Sequence, residues 1–253
     1  MSDRTINRRM VLAALPASLI AGCTTAEQEA IFGAVLGSMG TTSTGTGVGG
    51  LTSAEAAQGI RAALDQGIAS AVSQVGRRDG YFADRQIKIP LPPRLAAAQS
   101  QLSAFGLPGM LDQMQLEINR GAEQAAPEAR SIFVSAIRSM TINDALGIVN
   151  GGPTSATTYF QNRTTSSLTR LFRPSIETAL TRTGAIQTYD NILASLAGIP
   201  LAPQMGADAR DDLIDHGVGK GLDGLFYYVA REEAAIRTNP AKRTSDILRR
   251  VFG

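Results

Sequence analysis

The sequence predicts an all-α protein: a single helical domain of about seven to nine helices over residues 51–253, with one short extended segment near residues 85–92. Three observations carry this. After residue 51 apolar residues recur mostly every three to four positions, the period of one helix face. Strand signals, in which β-branched or aromatic residues alternate with polar ones, are nearly absent. Thr52-Ser53-Ala54-Glu55 and Thr141-Ile142-Asn143-Asp144 read as helix N-terminal caps. In such a box the hydroxyl accepts from the third helical amide, and the acid at that position reaches back to the cap's own amide.

Each element follows from its own residues. Behind Thr52, the positions Ala57, Ile60, Leu64, Ile68, Ala71 or Val72, and Val75 define a long helix that Gly76 ends. In DGYFADRQIKIPLPP, residues 79–93, Ile87, Ile89 and Leu91 alternate with Lys88 and prolines. That pattern suits an extended segment at a sheet edge or lying across helices, and Pro90, Pro92 and Pro93 keep it short. From Pro93 to Met140 the period is helical again, with breaks expected at Gly106-Leu107-Pro108 and at Pro127. Pro127 is placed in the first turn of a helix through Ile132, Phe133, Ile137 and Met140, where a missing N–H costs nothing. Asn150-Gly151-Gly152-Pro153 closes the short helix begun at Thr141. Thr154 or Ser155 starts a helix through Tyr159, Phe160, Leu168 and Leu171, kinked or restarted at Pro174. A short helix over Ile186 to Leu196, a loop over Gly198 to Asp208, a long helix through Ile214, Val218, Leu222, Leu225, Phe226 and Val229, and a terminal helix over Ser245 to Phe252 complete the chain.

Ahead of the domain stands a different kind of sequence. Arg4, Arg8 and Arg9, against Asp3, precede Met10 to Gly22, an uncharged and mostly apolar run of thirteen residues ending in small side chains. That is the layout of a signal peptide. A spanning helix needs about 20 apolar residues, so the run is expected to be removed. Its exit, Ile20-Ala21-Gly22-Cys23, holds the single cysteine of the chain and resembles a bacterial lipobox. The resemblance implies that Cys23 carries a thioether-linked diacylglycerol and becomes an acylated N-terminus, anchored durably by several acyl chains where one would bind only marginally. An ordinary secretory signal, giving a soluble periplasmic protein, is the alternative. Thr24 stands where an aspartate would, by resemblance to enterobacterial sorting, favour the inner membrane, so the periplasmic face of the outer membrane is expected. Asn7-Arg8-Arg9-Met10-Val11-Leu12 leaves twin-arginine and general secretory export both open. Residues 24–39 read as a short amphipathic helix, and Thr41 to Gly50 as a Gly/Thr/Ser-rich tether.

Composition then excludes several classes of function. The full chain has 24 Lys+Arg against 22 Asp+Glu. Loss of Arg4, Arg8, Arg9 and Asp3 with the signal leaves 21 of each, a formally neutral mature chain. Nucleic-acid binding rests on neutralising many phosphates, so no such partner is expected. With Cys23 acylated there is no thiol or disulfide chemistry. His216, the single histidine, sits on a polar helix edge and reads as a solvated surface residue. One imidazole rules out the standard di-iron and multi-histidine zinc sites. It also confines any Ser-His-Asp triad to that ring. Gly217-Val218-Gly219-Lys220-Gly221 lacks the spacing and preceding strand of a phosphate-cradling loop. These glycines instead let helices approach closely, at about 1 kcal/mol each in helix propensity. No cofactor, metal or catalytic residue is assigned.

Three stretches remain as candidate ligand or ion-pair sites. In LDQMQLEINRGAEQAAPEAR, residues 111–130, Glu117, Arg120 and Glu123 lie roughly along one side of a helix, with Asp112 and Glu128 nearby. Facing inward they would form a buried ion-paired network or an acid/base pair; facing outward, a solvated stripe. Asp144 with Asn150-Gly151-Gly152 could hold an anion near helix N-termini, although capping and a tight turn explain it equally well. Asp223 and Tyr227, one turn apart in Asp223-Gly224-Leu225-Phe226-Tyr227-Tyr228, could meet a partner, with aromatic core packing the safer expectation.

Five stretches carry a family resemblance: AVSQVGRRDGYF (71–82), IKIPLPPRL (87–95), EINRGAEQAAPEARSIFVSAI (117–137), MTINDALGIVNGGPTSATTYFQ (140–161) and LDGLFYYVAREEAAIRTNPAKRTSDILRRVFG (222–253). Through them the chain resembles a bacterial family defined as domain of unknown function 4197. The resemblance implies a secreted or lipid-anchored helical protein and supplies no activity or catalytic residue. The expected function is therefore that of a lipid-anchored, non-enzymatic envelope protein, joined to the membrane through Cys23 and binding another envelope protein. One alternative is a binder of a small apolar or lipid ligand in an inter-helix cavity. Another is a hydrolase pairing Glu117 with Glu123 or Glu128.

Overall fold

The computed structural model describes residues 52–104, 109–197, 208–239 and 249. Seven helices form there: α1 (Ser53–Gly76), α2 (Pro93–Ala104), α3 (Gly109–Ser139), α4 (Ile142–Asn150), α5 (Ser155–Arg182), α6 (Ala185–Ala197) and α7 (Ala209–Thr238). No β-strand occurs among the described residues, and the fold is all-α. The signal run, Cys23, residues 24–50, the break at Gly106-Leu107-Pro108, the loop over 198–207 and all but Arg249 of the terminal helix lie outside the described residues.

Both capping boxes form. Thr52 Oγ1 accepts from the Glu55 amide at 3.2 Å, and Glu55 Oε2 accepts from the Thr52 amide at 2.9 Å. Thr141 and Asp144 repeat the exchange at 3.0 and 2.9 Å. The orphan amides of α1 and α4 are thereby satisfied within four residues of sequence.

The four long helices pack antiparallel in chain order. Along α1 and α3, Arg61 Nη2 donates to the Met140 carbonyl at 2.6 Å, Asp65 meets Arg130, and Gly76 lies against Pro127. Along α3 and α5, the Tyr159 hydroxyl donates to the Ala136 carbonyl, and Gly121 lies against Ile176. Along α5 and α7, Thr157 meets Glu233 and Arg173 meets Asp211. Finally α7 returns to α1, with Glu232 accepting from Ser70 and Ile236 against Gly67. This is an up-down-up-down bundle. Its diagonal pair, α3 and α7, runs parallel, with Ile118 against Gly217 and Ala122 near Gly221. Phe133 sits between them, edge-on to Phe160 at 5.3 Å and to Phe226 at 6.1 Å. The short α4 packs on α1 and α5, and α6 on α5 and α3.

Pro127, expected in the first turn of a helix, lies inside α3 instead, and of the two readings at Pro174, kink or restart, the restart does not occur, because α5 runs through it. An interior proline costs about 3 kcal/mol through a lost hydrogen bond and ring crowding. Yet α3 buries Met114, Ile118 and Ala122 before Pro127, and Ala129, Phe133 and Ile137 after it. Each large apolar side chain contributes roughly 1.5–3 kcal/mol by burial, so continuity wins. The Pro127 ring also covers the end of α1, where a Cβ on Gly76 would come within 2.8 Å of it.

Between α1 and α2 residues 85–87, expected to be extended, form a turn in which the Ile87 and Lys88 amides donate to the Asp84 carbonyl, and only the segment 88–92 runs on without turn or helix, across the helices. Ile87, Ile89 and Leu91 are buried, whereas Lys88 and Pro90 are exposed. Its central hydrogen bonds come from a side chain. Asn119 Oδ1 accepts from the Ile89 amide at 2.9 Å, and Asn119 Nδ2 donates to the Ile89 carbonyl at 2.9 Å. The Asn119 amide on α3 thus stands in for a neighbouring strand and satisfies both polar groups of a fully buried residue.

Candidate functional site

Two buried carboxylates organise the polar interior. Glu123, on α3 and only 4% exposed, accepts from the consecutive amides of Tyr81 and Phe82, each at 3.1 Å, through Oε1. Its Oε2 accepts from Arg120 Nη1 at 2.6 Å, and Arg120 Nη2 extends to Asp79 at 2.7 Å. Asp79 adopts a left-handed backbone with φ 63°, which aspartate tolerates better than most residues. The next residue must be glycine, because a Cβ on Gly80 would stand 2.4 Å from the Val75 carbonyl. Beyond the turn, the buried Tyr81 hydroxyl donates to the Gly221 carbonyl at 2.7 Å. Burial first, and the Glu123 charge second, push that phenol far above its ordinary range, so it stays a neutral donor.

Glu233, on α7 and 6% exposed, does the same work elsewhere. Its two oxygens accept from the amides of Ala156 and Thr157, both at 2.9 Å, and from the Thr157 hydroxyl at 2.8 Å. Thr154 makes no side-chain cap, so the positive end of α5 is capped by a carboxylate from another helix. Arg237 Nη2 donates to Glu233 at 2.9 Å and to the Ile148 carbonyl at 2.7 Å. One ion pair therefore ties the end of α4 and the start of α5 to α7.

Among the residues singled out by sequence, the structure joins Arg120 to Glu123 and leaves the rest apart. Glu117 is half-exposed and accepts from Gln113 Nε2 at 2.5 Å. It lies six residues, about 9 Å of helix rise, from Glu123. Glu128 is exposed. Of these acids only Glu123 is buried, and both of its oxygens are already engaged, by the Tyr81 and Phe82 amides and by Arg120. Asp144 is engaged in its cap and Asn150 is exposed at the end of α4. Asp223 pairs with Lys220 at 2.9 Å, whereas Tyr227 lies edge-on to Tyr228 with the Arg231 guanidinium 5.9 Å from its ring centroid. Core packing holds for Phe226 and Tyr228 but not for Tyr227, which is 38% exposed because it points off the buried stripe of α7. The buried Tyr228 hydroxyl instead bonds Asp84.

His216 lies at the surface, partly covered, and its Nε2 meets the Pro90 carbonyl at 2.9 Å, which requires a proton on Nε2. With Pro92, Arg94, Tyr189 and Asp212 it lines an open cleft of about 370 Å³. The space between α1, α5 and α7 beside Ile68, Phe160 and Val229 is about 10 Å³, roughly one water's worth. Among the described residues no group of three His, Cys, Asp or Glu converges as metal ligands.

The sequence signal for Glu233 lies in its register. It falls on the buried stripe Leu222, Leu225, Phe226, Val229 and Ile236, with Arg237 four residues on. A carboxylate on an apolar face beside an arginine marks a buried network. Asn119, next to buried Ile118 on α3, carries only a weaker version of that signal.

The Asp144 cap gives a pH prediction. Hydrogen bonds from the Thr141 amide, then from its hydroxyl, hold the Asp144 carboxyl below the usual carboxylate range. A depressed folded-state pKa contributes stability that is present above the unfolded value and lost as pH falls through the folded one. Asp144→Asn is expected to flatten the acid limb of the stability curve below about pH 4, leaving the slope near neutrality unchanged. Urea denaturation at a series of pH values measures both.

Residues 50–253 match the family described as protein of unknown function (DUF4197), and the chain belongs to that family. No curated protein and no solved structure matches the chain.

Proposed function

We propose that this member of the family is a lipid-anchored envelope protein whose helical bundle serves as a non-catalytic binding module at the periplasmic face of the outer membrane. The observation that carries the reading is the position of Cys23. The single cysteine of 253 residues follows directly on the thirteen-residue apolar run and its Ile20-Ala21-Gly22 exit. The bundle supports the non-catalytic half. Glu123 and Glu233 engage main-chain amides and arginines, so they hold turns and helix ends in place. The acids nearer the surface pair locally, Asp144 with Thr141 and Asp223 with Lys220, on different helices. Such a bundle, held by an acylated N-terminus, presents its outer surface to another envelope component.

Intact mass and membrane fractionation of the native protein beside a Cys23→Ser variant test this. The expected native product starts at Cys23, carries acyl mass and sediments with the outer membrane, while the serine variant carries none. An unacylated, soluble native protein would overturn the reading. A pull-down from solubilised envelope that recovers no partner beyond the Cys23→Ser background would remove the binding role.

A further inference from the structure

We infer that the face formed by the C-terminal half of α3 and the N-terminal half of α5 rests on the phosphate head groups of anionic phospholipid in the leaflet that holds Cys23. The inference rests on the lipid-anchor reading and adds a second, electrostatic contact with the same membrane.

The mature chain is formally neutral, but its charges are segregated. Asp208, Asp211, Asp212 and Asp215 gather where α7 begins. On α3, by contrast, Arg130 and Arg138 follow Glu128 with no further acid, and α5 carries Arg163, Arg170 and Arg173 before its first acid, Glu177. Arg173 turns to Asp211 and Asp215. The other four border one surface. Arg138, Arg163 and Arg170 are exposed, and Arg130 meets the half-open Asp65 only at 3.3 Å. Arg163 also stands 5.8 Å from the Tyr159 ring centroid and near Asp144, and Glu128 borders the same surface, so the cations outnumber the acids there without being alone.

Hydroxyls fill the space between these cations. Ser131, Ser135 and Ser139 recur every fourth residue of α3 and, with Ser167 and Arg163 of α5, line a cleft of about 410 Å³. Ser131 and Ser135 also border the adjoining hollow beside Arg130 and Arg138. Arg170 donates to Ser166 and Ser167 at 2.8 and 2.9 Å, which holds its guanidinium at the rim. The Ser131 and Ser139 hydroxyls donate to the Glu128 and Ala136 carbonyls at 2.9 Å, so the match to phosphodiester oxygens rests on the guanidinium forks, with the serines supplying a small, polar lining. The only large apolar side chains strongly exposed among the described residues are Ile142 and Tyr227, so the contact is adsorption to head groups, without a wedge into the acyl region.

The point of attachment permits the same contact. Arg61 and Asp65 of α1 reach Met140 and Arg130 of α3. Thr52, nine residues and about 13 Å of helix rise before Arg61, therefore stands at the end of the bundle where α3 finishes. The 28 residues between Cys23 and Thr52 reach at most on the order of 90 Å, ample for this face to meet the surface that holds the anchor.

Vesicle flotation tests the inference, using the chain from residue 23 with Cys23→Ser so that no acyl group contributes. Vesicles of phosphatidylcholine mixed with phosphatidylglycerol in comparable amounts are compared with phosphatidylcholine alone. The chain is expected to float with the anionic vesicles only and to be released by high salt. Arg138→Gln/Arg163→Gln/Arg170→Gln is expected to weaken partitioning about a hundredfold, since each surface cation is worth a factor of about five. Arg77→Gln/Arg85→Gln/Arg182→Gln, an equal charge loss elsewhere, is expected to leave it within a few-fold. Circular dichroism and thermal melts establish that both variants fold. Equal binding to neutral vesicles, no binding to either, or equal loss in the two triple variants overturns the inference. Because the probe is unacylated, those results leave the anchor reading standing, whereas a native protein without acyl mass removes the anchor reading and with it the assigned leaflet, a failure that flotation of the unacylated chain does not produce.

Discussion

Replacing Glu233 by alanine is expected to lower the free energy of unfolding by about 3–5 kcal/mol, the cost of breaking a buried charge pair from one side. The substitution removes the acceptor of three donors on α5, the Ala156 and Thr157 amides and the Thr157 hydroxyl, and takes away the carboxylate that the partly buried Arg237 meets at 2.9 Å. Water is a poor replacement, because Ala156 and Thr157 are 1% and 5% exposed. Glu233→Gln keeps the volume and one acceptor oxygen but turns an NH₂ toward a donor, so a loss of about 2 kcal/mol is expected. The exposed Glu177→Ala on α5 serves as the control, expected within about 0.5 kcal/mol of the parent. Urea midpoints at unchanged m-value give all three. If Glu233→Ala lost less than about 1 kcal/mol, α5 would not depend on a cap supplied by α7.

This network shows what the sequence reveals and what it hides. The Thr52 and Thr141 boxes were legible because both partners lie within four residues, so the pattern itself contains the geometry. The bundle's long helices were legible from period, and the extended run over 88–92 from the alternation of Ile87, Ile89 and Leu91. Pro127 misled because sequence displays the missing N–H but not the flanking burial that outweighs it. The candidate site was half-legible for a related reason. Arg120 and Glu123 are neighbours on one helix, but the amides they serve, at Tyr81 and Phe82, are about forty residues away. Glu233 lies about eighty residues from the helix end it caps, and Asn119 thirty from Ile89. Long-range acceptors of main-chain donors leave no spacing rule, only the trace of a polar residue in an apolar register.

The glycines decide between two effects of similar size. Gly→Ala inside a helix is expected to gain about 1 kcal/mol in propensity, and at Gly219, whose missing Cβ would meet nothing within 4 Å, that gain should appear nearly whole. At Gly121 the same substitution is expected to reverse sign. A Cβ there would lie 2.5 Å from Ile176 Cα and 3.0 Å from its amide nitrogen. Those are main-chain atoms that no rotamer change can move. Relief requires α3 and α5 to separate where Ile118, Ala122 and Ile176 are all fully buried. Overpacking of that kind costs about 3 kcal/mol, so Gly121→Ala should lose about 2 kcal/mol net, against a gain of up to about 1 kcal/mol for Gly219→Ala. Thermal or urea unfolding of the two variants side by side reads the difference directly. A stabilising Gly121→Ala would mean that α3 and α5 do not meet backbone to backbone at this crossing. The antiparallel register that joins Gly121 to Ile176 and Ala136 to Tyr159 would then have to be redrawn.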